Sequence, residues 1–213
     1  MPLIEIATVR LHPSFSSNVP DSFTSTWIRA CNLATEAANG VSFQLYHAVA
    51  STDQDLYYLV GGWQTGDDHI KFLSTPDAVT VAKSIGQYVT VDVVRHIDGD
   101  VGLLGSTAGR PKKLTVTVYK IPESDVADWE SKWESSHQGP GGAGGWDLSA
   151  VVQNQHRAFR QMGEATNSVS AFGGKDAGGD RTWIWVESGE KSPAVADAQN
   201  VEAEMFEMEY VLG

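Results

Sequence analysis

The chain has 213 residues, 41% of them apolar, and its 15 basic and 27 acidic side chains give a formal net charge of −12. This length allows one ordinary core or two small ones. The negative charge argues against nucleic acid or an anionic membrane surface as the main partner. A single cysteine excludes an intramolecular disulfide and a cysteine-based zinc site. No apolar run approaches the roughly 20 residues that span a bilayer, and the N-terminus does not resemble a signal peptide, so we expect a cytoplasmic protein.

Two similar halves flank a glycine-rich middle segment. Each half begins with an alternating strand that a proline ends, at residues 3–11 and 114–121. Residues 99–111 contain four glycines and a proline, which disfavour the interiors of helices and strands. We therefore predict a first repeat over 1–98, a linker over 99–111 and a second repeat over 112–213.

The same order of elements is predicted in both halves. A capped helix begins near Asp21 in the first half and near Ser124 in the second. In the first half, two strands follow at 41–49 and 55–63, then a helical stretch at 67–85 and a strand at 88–96. The corresponding elements of the second half are strands at 168–174 and 181–187, a helical stretch at 192–202 and a strand at 205–212. This βαββαβ order is that of the ferredoxin-like unit. One such unit leaves an apolar face of its sheet open, and two units in one chain can cover each other's open faces. We therefore predict an α+β fold in which the two repeats form one pseudo-symmetric barrel.

The second half carries an insertion over residues 138–165. It opens with the glycine-rich run 138–145 and continues with the apolar spacing of a helix. A glycine hinge before an amphipathic helix is typical of a lid, and an added packing helix is the alternative. In this helix His156 would lie beside Arg160, where both could contact an anionic or enolic substrate or simply be solvated.

The most distinctive segment, residues 62–76, reads GWQTGDDHIKFLSTP. A strand ends in Trp63, a polar turn leads to a helix that starts near His69, and Pro76 interrupts the helix after Ser74. This segment resembles the dimeric α+β barrel superfamily, in particular antibiotic-biosynthesis-monooxygenase-like domains, where a tryptophan-ended strand runs into an AHxxSPxF helix. The tandem arrangement is similar to the form of this fold that fungi use.

The resemblance implies a small, mostly apolar pocket between the sheet and its helices, and activities that often need no bound cofactor. Members include quinone-forming monooxygenases, polyketide cyclases, lyases, isomerases and haem-degrading enzymes, and some are not catalytic, so the fold does not choose the function. Where polyketide cyclases of this superfamily carry a histidine, this chain has Asp77 or Ala78. No histidine here aligns with the haem ligand of haem-degrading members. The corresponding segment of the second half has no histidine, which favours a site in the first half.

Three side chains are candidate catalytic groups. His69 lies at a helix start, where backbone amides disfavour an imidazolium while Asp67 and Asp68 favour it, a balance useful for acid–base work. An exposed histidine near the helix cap is the alternative. His47 is expected on the apolar face of its strand, in a pocket or as a hydrogen-bonded core histidine. Tyr58 is a candidate proton donor, or only a packing residue.

The candidate substrate-binding residues are mostly aromatic: Trp63, Phe43, Phe72, His156 and Trp185. His96 is expected to be solvent-exposed at a strand end. Alternation places it on one face with Asp92, but about 13 Å away along the strand, too far for a direct dyad.

These features predict a cofactor-independent enzyme of secondary metabolism that acts on a hydrophobic, polyketide-like or polyphenolic small molecule. Histidine acid–base catalysis would drive cyclisation, dehydration, rearrangement or monooxygenation. No metal site is predicted, because no two histidines are spaced i,i+4. A non-catalytic small-molecule-binding or stress-response barrel is the alternative, and a barrel with a filled interior is a third. We expect a monomer, its two halves forming a pseudo-dimer, or a homodimer.

Overall fold

The computed structural model describes residues 2–15, 19–49, 55–105, 109–136, 142–148, 180–188 and 201–213. The first half contains β1 (Leu3–Leu11), α1 (Asp21–Ala37), β2 (Gln44–Ala48), β3 (Leu56–Trp63), α2 (Gly66–Leu73), α3 (Pro76–Ile85) and β4 (Val89–Asp98). The second contains β5 (Lys113–Ile121), α4 (Val126–Ser136), β6 (Gly142–Trp146), β7 (Arg181–Ser188) and β8 (Glu202–Leu212). Among these described helices, none has the length and hydrophobicity needed to cross a membrane.

The strands form one antiparallel sheet in the order β4-β1-β3-β2-β8-β5-β7-β6. Each half contributes four strands in the ferredoxin-like order, and the β2–β8 pair joins the halves. At the far ends of the sheet, Ile97 of β4 forms a bridge to Asp147, directly after β6. A half-buried ion pair between Arg95 and Asp147 reinforces this closure. The predicted α+β fold, two ferredoxin-like repeats forming one barrel, is confirmed.

Apolar side chains from both halves fill the inside of the barrel. In β1 the even-numbered residues Ile4 and Ile6 point inward, and they belong to one buried cluster with Val116 of β5 and Ile184 of β7. The odd-numbered residues of β1 therefore face the helices of the first half. Helix α1 buries one face against the sheet, formed by Phe23, Trp27, Ala30, Cys31 and Ala34.

The linker docks onto the barrel. Val101 and Leu104 are buried in a short 3₁₀ turn. The side-chain amide of Gln44 donates a 3.1 Å hydrogen bond to the carbonyl of Leu104, and the Tyr46 hydroxyl donates one of 3.0 Å to the carbonyl of Pro111. These bonds hold the connection between the halves against strand β2.

The expected helix 67–85 consists of two helices. Helix α2 ends at Leu73, and Thr75 begins the next by accepting a 3.2 Å hydrogen bond from the backbone N–H of Ala78. Pro76 occupies the first turn of α3. Because proline has no N–H and disfavours helical backbone in the residue before it, the chain breaks at this point and starts a new helix.

The described part of the glycine-rich run, from residue 142 on, forms strand β6, so the hinge expected within the insertion 138–165 is wrong at these residues. Strand β6 pairs with β7, and Gly142 and Gly144 lie against the indole of Trp185. A Cβ atom at these two positions would stand 2.0 and 2.6 Å from that ring. Glycine is present because a neighbouring side chain approaches closely, a tertiary cause that composition does not reveal. The predicted strand 168–174, most of the predicted helix 192–202 and the helix expected after the glycines lie outside the described residues.

Gly61 of β3 is required for the packing of Phe43. A Cβ atom at Gly61 would lie 2.2 Å from the Phe43 ring, which packs edge-on against Trp63 at a centroid distance of 5.1 Å. We expect Gly61→Ala to lower the free energy of unfolding by about 1–3 kcal/mol, because the ring must move. Gly66→Ala is the control, since its Cβ would meet only a Leu3 methyl at 3.4 Å. Urea unfolding measures both, and equal losses would contradict the explanation.

Candidate functional site

A cavity of about 200 Å³ lies between the sheet of the first half and helices α1, α2 and α3. Its walls are largely apolar, with Ala7, Val9 and Leu59 on the sheet side. Ala82 and Gly86 also line the cavity and are themselves exposed, so it reaches the surface beside α3. The pocket between sheet and helices that the resemblance implied is therefore present in the first half.

Glu5 and His69 interrupt this apolar lining, and they belong to a buried cluster with His96 and Trp63. Oε2 of Glu5 lies 3.3 Å from Nε2 of His69 and 3.4 Å from Nε2 of His96. The Trp63 indole N–H donates a 2.8 Å hydrogen bond to the same oxygen. Three side chains thus converge on one carboxylate oxygen.

Strand register brings Glu5 and His96 together. They are direct cross-strand partners in the β1–β4 pair, so their side chains leave the sheet on the same face. The register shifts between Thr8 and Val9, where a bulge in β4 leaves Asp92 unmatched. Because of this bulge, His96 and Asp92 do not follow simple alternation. His96 is only 2% exposed, and the expectation of a solvent-exposed strand end was wrong.

His69 reaches the cluster from the first turn of α2. The Thr65 hydroxyl caps this helix: it accepts a 3.2 Å hydrogen bond from the Asp68 N–H and donates one of 2.8 Å to the Asp68 carboxylate. The imidazole then stacks on the Trp63 indole with an interplanar angle of 5° and a centroid distance of 4.4 Å. Cap and stacking together fix the direction of the ring.

The cluster keeps Glu5 ionised. Burial by itself would raise the pKa of this carboxyl, but His69, His96 and the Trp63 N–H favour the charged form and lower the pKa to about 2. Cys31 also lines the cavity, and burial raises the pKa of its thiol to about 12. At neutral pH the cavity therefore presents a carboxylate with histidines beside it and a thiol that stays protonated and unreactive.

Four of the predicted site residues line this cavity: His69, Trp63, Phe43 and Phe72. The two other predicted catalytic groups lie elsewhere. His47 is half-buried beside Tyr57, with ring centroids 5.0 Å apart. Tyr58 is buried on the inner face of the barrel, where its ring centroid lies 6.2 Å from that of Phe206. The structure therefore does not bring His69, His47 and Tyr58 into one constellation.

Trp185 belongs to an aromatic cluster in the second half, where Trp133 lies 5.1 Å away and the Trp185 N–H donates a 3.1 Å hydrogen bond to Glu187. Large side chains of this cluster fill the space between helix α4 and the sheet. Small residues lie at the corresponding place in the first half, around the cavity. The buried members of the aromatic cluster are Tyr119, Ile121, Trp129, Trp133, Trp183 and Trp185. His156 lies outside the described residues.

Sequence reasoning missed Glu5 and His96. One signal was available for Glu5: it is the charged residue on the face of β1 formed by Leu3, Ala7 and Val9. A charge in such a position must find a partner. No comparable signal existed for His96, because the bulge that sets its direction depends on the pairing with β1.

No protein-family model matches the chain, and a search of curated proteins finds no relative. Among solved structures, a candidate monooxygenase from Fusobacterium nucleatum is 9% identical over 98% of this chain and 92% of its own, with a TM-score of 0.56. A candidate monooxygenase from Lactobacillus acidophilus is 8% identical over 99% of this chain and 98% of its own, with a TM-score of 0.51. A candidate antibiotic biosynthesis monooxygenase from Bordetella bronchiseptica is 23% identical over 46% of this chain and 95% of its own, with a TM-score of 0.38. At these identities the first two likenesses show a shared fold.

Proposed function

We propose that the first-half cavity is the active site of a monooxygenase-like enzyme that acts, without a redox cofactor, on a small aromatic molecule. The observation that carries this proposal is the buried Glu5–His69 pair, which opens on an apolar cavity. Buried ionisable groups in a cleft are typical of catalytic sites, because burial and a specific charge partner tune their pKa values for proton transfer. The two solved structures that align with almost the whole chain are both named as candidate monooxygenases, which agrees with this class of reaction.

The size and lining of the cavity indicate the substrate class. Its volume of about 200 Å³ is comparable to apolar cavities of about 150 Å³ that bind benzene. The rings of Phe43, Trp63 and Phe72 form one wall. We therefore expect a single-ring phenol or quinol, or one ring of a larger polyketide-like molecule, to enter beside α3.

His69 is the proposed base. Glu5 lies 3.3 Å from the imidazole, and its carboxylate charge stabilises the imidazolium that forms when His69 takes a proton. The Trp63 indole holds the imidazole parallel to its own ring by stacking, and its N–H donates a hydrogen bond to the Glu5 carboxylate. The carboxylate and the indole are thus positioning residues, and the imidazole is the catalytic one.

Loss of the proton leaves a phenolate that reacts with O₂. In this scheme His69 takes the hydroxyl proton of the phenol, and the ortho or para ring carbon of the phenolate adds its electron pair to O₂ to give a peroxide. The peroxide takes the proton back and loses water, which leaves a carbonyl at that carbon, so that the phenol and O₂ become a quinone and H₂O. Both atoms of O₂ are accounted for, and the substrate supplies the electrons.

The entrance beside α3 offers a test with a matched control. Ala82→Trp should narrow the entrance, and we expect KM for a single-ring quinol to rise about tenfold, equivalent to about 1.4 kcal/mol. Val79→Trp adds the same indole to the same helix at a position that is 50% exposed and outside the lining. O₂ uptake measures turnover, and a thermal-shift assay measures binding.

Two outcomes would overturn the proposed function. One is the absence of both O₂ uptake and a thermal shift across a series of single-ring phenols and quinols. The other is an equal effect of the two tryptophan substitutions, which would place binding away from this cavity. Ligand stabilisation without any O₂ uptake would support the non-catalytic binding protein instead.

A further inference from the structure

We propose that Glu5, His69 and His96 form a binding site for one divalent first-row metal ion, with Zn²⁺ as the best fit. The three residues come from β1, α2 and β4, and all are buried. Two imidazoles and one carboxylate are ligands that suit zinc and its first-row neighbours. The inference rests on the function proposed above only in using the same cluster.

The distances within the cluster match a tetrahedral site. With metal–ligand bonds of about 2.1 Å, two ligand atoms of a tetrahedron lie about 3.4 Å apart. The separations from Oε2 of Glu5 to Nε2 of His69 and of His96 are 3.3 and 3.4 Å. One ligand atom from each of the three residues lies within 4.8 Å of the other two. The ligand atoms of the two imidazoles therefore reach the tetrahedral separation with a ring movement on the order of 1 Å.

Charge balance alone does not require two imidazoles. One imidazolium already neutralises Glu5, and burying a second basic group adds a desolvation cost. A divalent ion uses both rings in their neutral form together with the carboxylate, which leaves one positive charge. A phenolate or hydroxide oxygen in the fourth position would balance that charge.

The surroundings have the features of an outer coordination shell. Trp63 binds the ligating oxygen of Glu5 and stacks on His69, so it orients two of the three ligands. Glu5 and His69 also line the cavity, so a ligand there could reach an open fourth position. Three protein ligands with one open position are the arrangement of catalytic rather than structural zinc.

Calorimetry on the chelator-treated full chain tests the site. We expect one Zn²⁺ per chain, and we expect His69→Gln and His96→Gln each to weaken binding by more than the 10–100-fold typical of losing an outer-shell partner. His12→Gln is the control, because its imidazole bonds to the Gly86 carbonyl at 3.2 Å, outside the cluster. Absence of binding, or binding that both cluster variants retain, would overturn the proposal.

A measurement on the unmodified protein keeps the test independent of variant folding. X-ray absorption of the zinc-loaded chain should show only nitrogen and oxygen ligands at about 2.0–2.2 Å, with the scattering pattern of two imidazoles. A sulfur ligand at about 2.3 Å would place the ion at Cys31 and overturn the assignment.

Metal binding and the proposed function fail separately. Turnover by the chelator-treated chain with no zinc binding would overturn the metal site alone, and zinc binding without turnover of any substrate would overturn the function alone. Where both hold, zinc should stop the cofactor-free reaction, because the metal takes the imidazole lone pair that His69 uses as a base. Continued turnover by the fully zinc-loaded chain would remove His69 from the role of base.

Discussion

Replacement of His69 by alanine is expected to lower turnover by about 10²–10⁴-fold, the contribution that a positioned general base makes. The imidazole is the basic group that lines the cavity, and it lies 3.3 Å from the carboxylate that would stabilise its charged form. The substitution also removes the ring that stacks on Trp63. Steady-state O₂ uptake measures the effect on kcat, and circular dichroism checks that the fold is kept.

The same substitution at His47 is the informative comparison. Both histidines are candidates from the sequence, but His47 is half-buried beside Tyr57 and outside the cavity lining. We expect His47→Ala to change kcat by less than a few-fold. Equal losses at the two positions, or an unchanged rate in His69→Ala, would remove the first-half cavity from the mechanism.

The fold was predictable because its signals are local. Alternating apolar residues in β1 and β5, and the repeated order of elements, identify two ferredoxin-like halves without any knowledge of contacts. The break between α2 and α3 was predictable too, since Pro76 acts on the backbone next to it. Such signals need only a short window of sequence.

The features that were mispredicted depend on tertiary contacts. Gly142 and Gly144 resemble a hinge by composition, but they lie in a strand against the Trp185 ring. His96 was placed at an exposed strand end, but the bulge in β4 turns it toward Glu5. In both cases the deciding partner is distant in the sequence, and propensity does not contain it.

The candidate site was predictable in part for the same reason. Trp63, His69 and Phe72 lie close together in sequence at a strand-to-helix turn, and they line one cavity. Glu5 and His96 complete the cluster from two other strands. A prediction from one segment therefore finds three residues that line the cavity, including the proposed base His69, and it misses the carboxylate beside that imidazole.

Glu5→Gln is expected to lower the free energy of unfolding at neutral pH by about 3–5 kcal/mol, the loss typical of removing one partner from a buried ion pair. Glutamine keeps the shape and an oxygen that can accept from Trp63, but it removes the charge that two imidazoles share. Glu209→Gln is the control. Its pair with Lys113 is exposed, so its loss should leave the free energy of unfolding nearly unchanged.

The pH dependence identifies the charge as the cause. Because folding lowers the pKa of Glu5 from 4.5 to about 2, its contribution to stability is fully present above about pH 4.5. It is lost as the pH falls through the folded value near 2, since the unfolded chain takes up the proton first. Urea unfolding between pH 7 and pH 2 should therefore show a smaller acid-induced loss in Glu5→Gln than in the unmodified chain. Identical pH profiles would mean that Glu5 is not held ionised by the two histidines, and both the proton-transfer scheme and the metal site would lose their carboxylate.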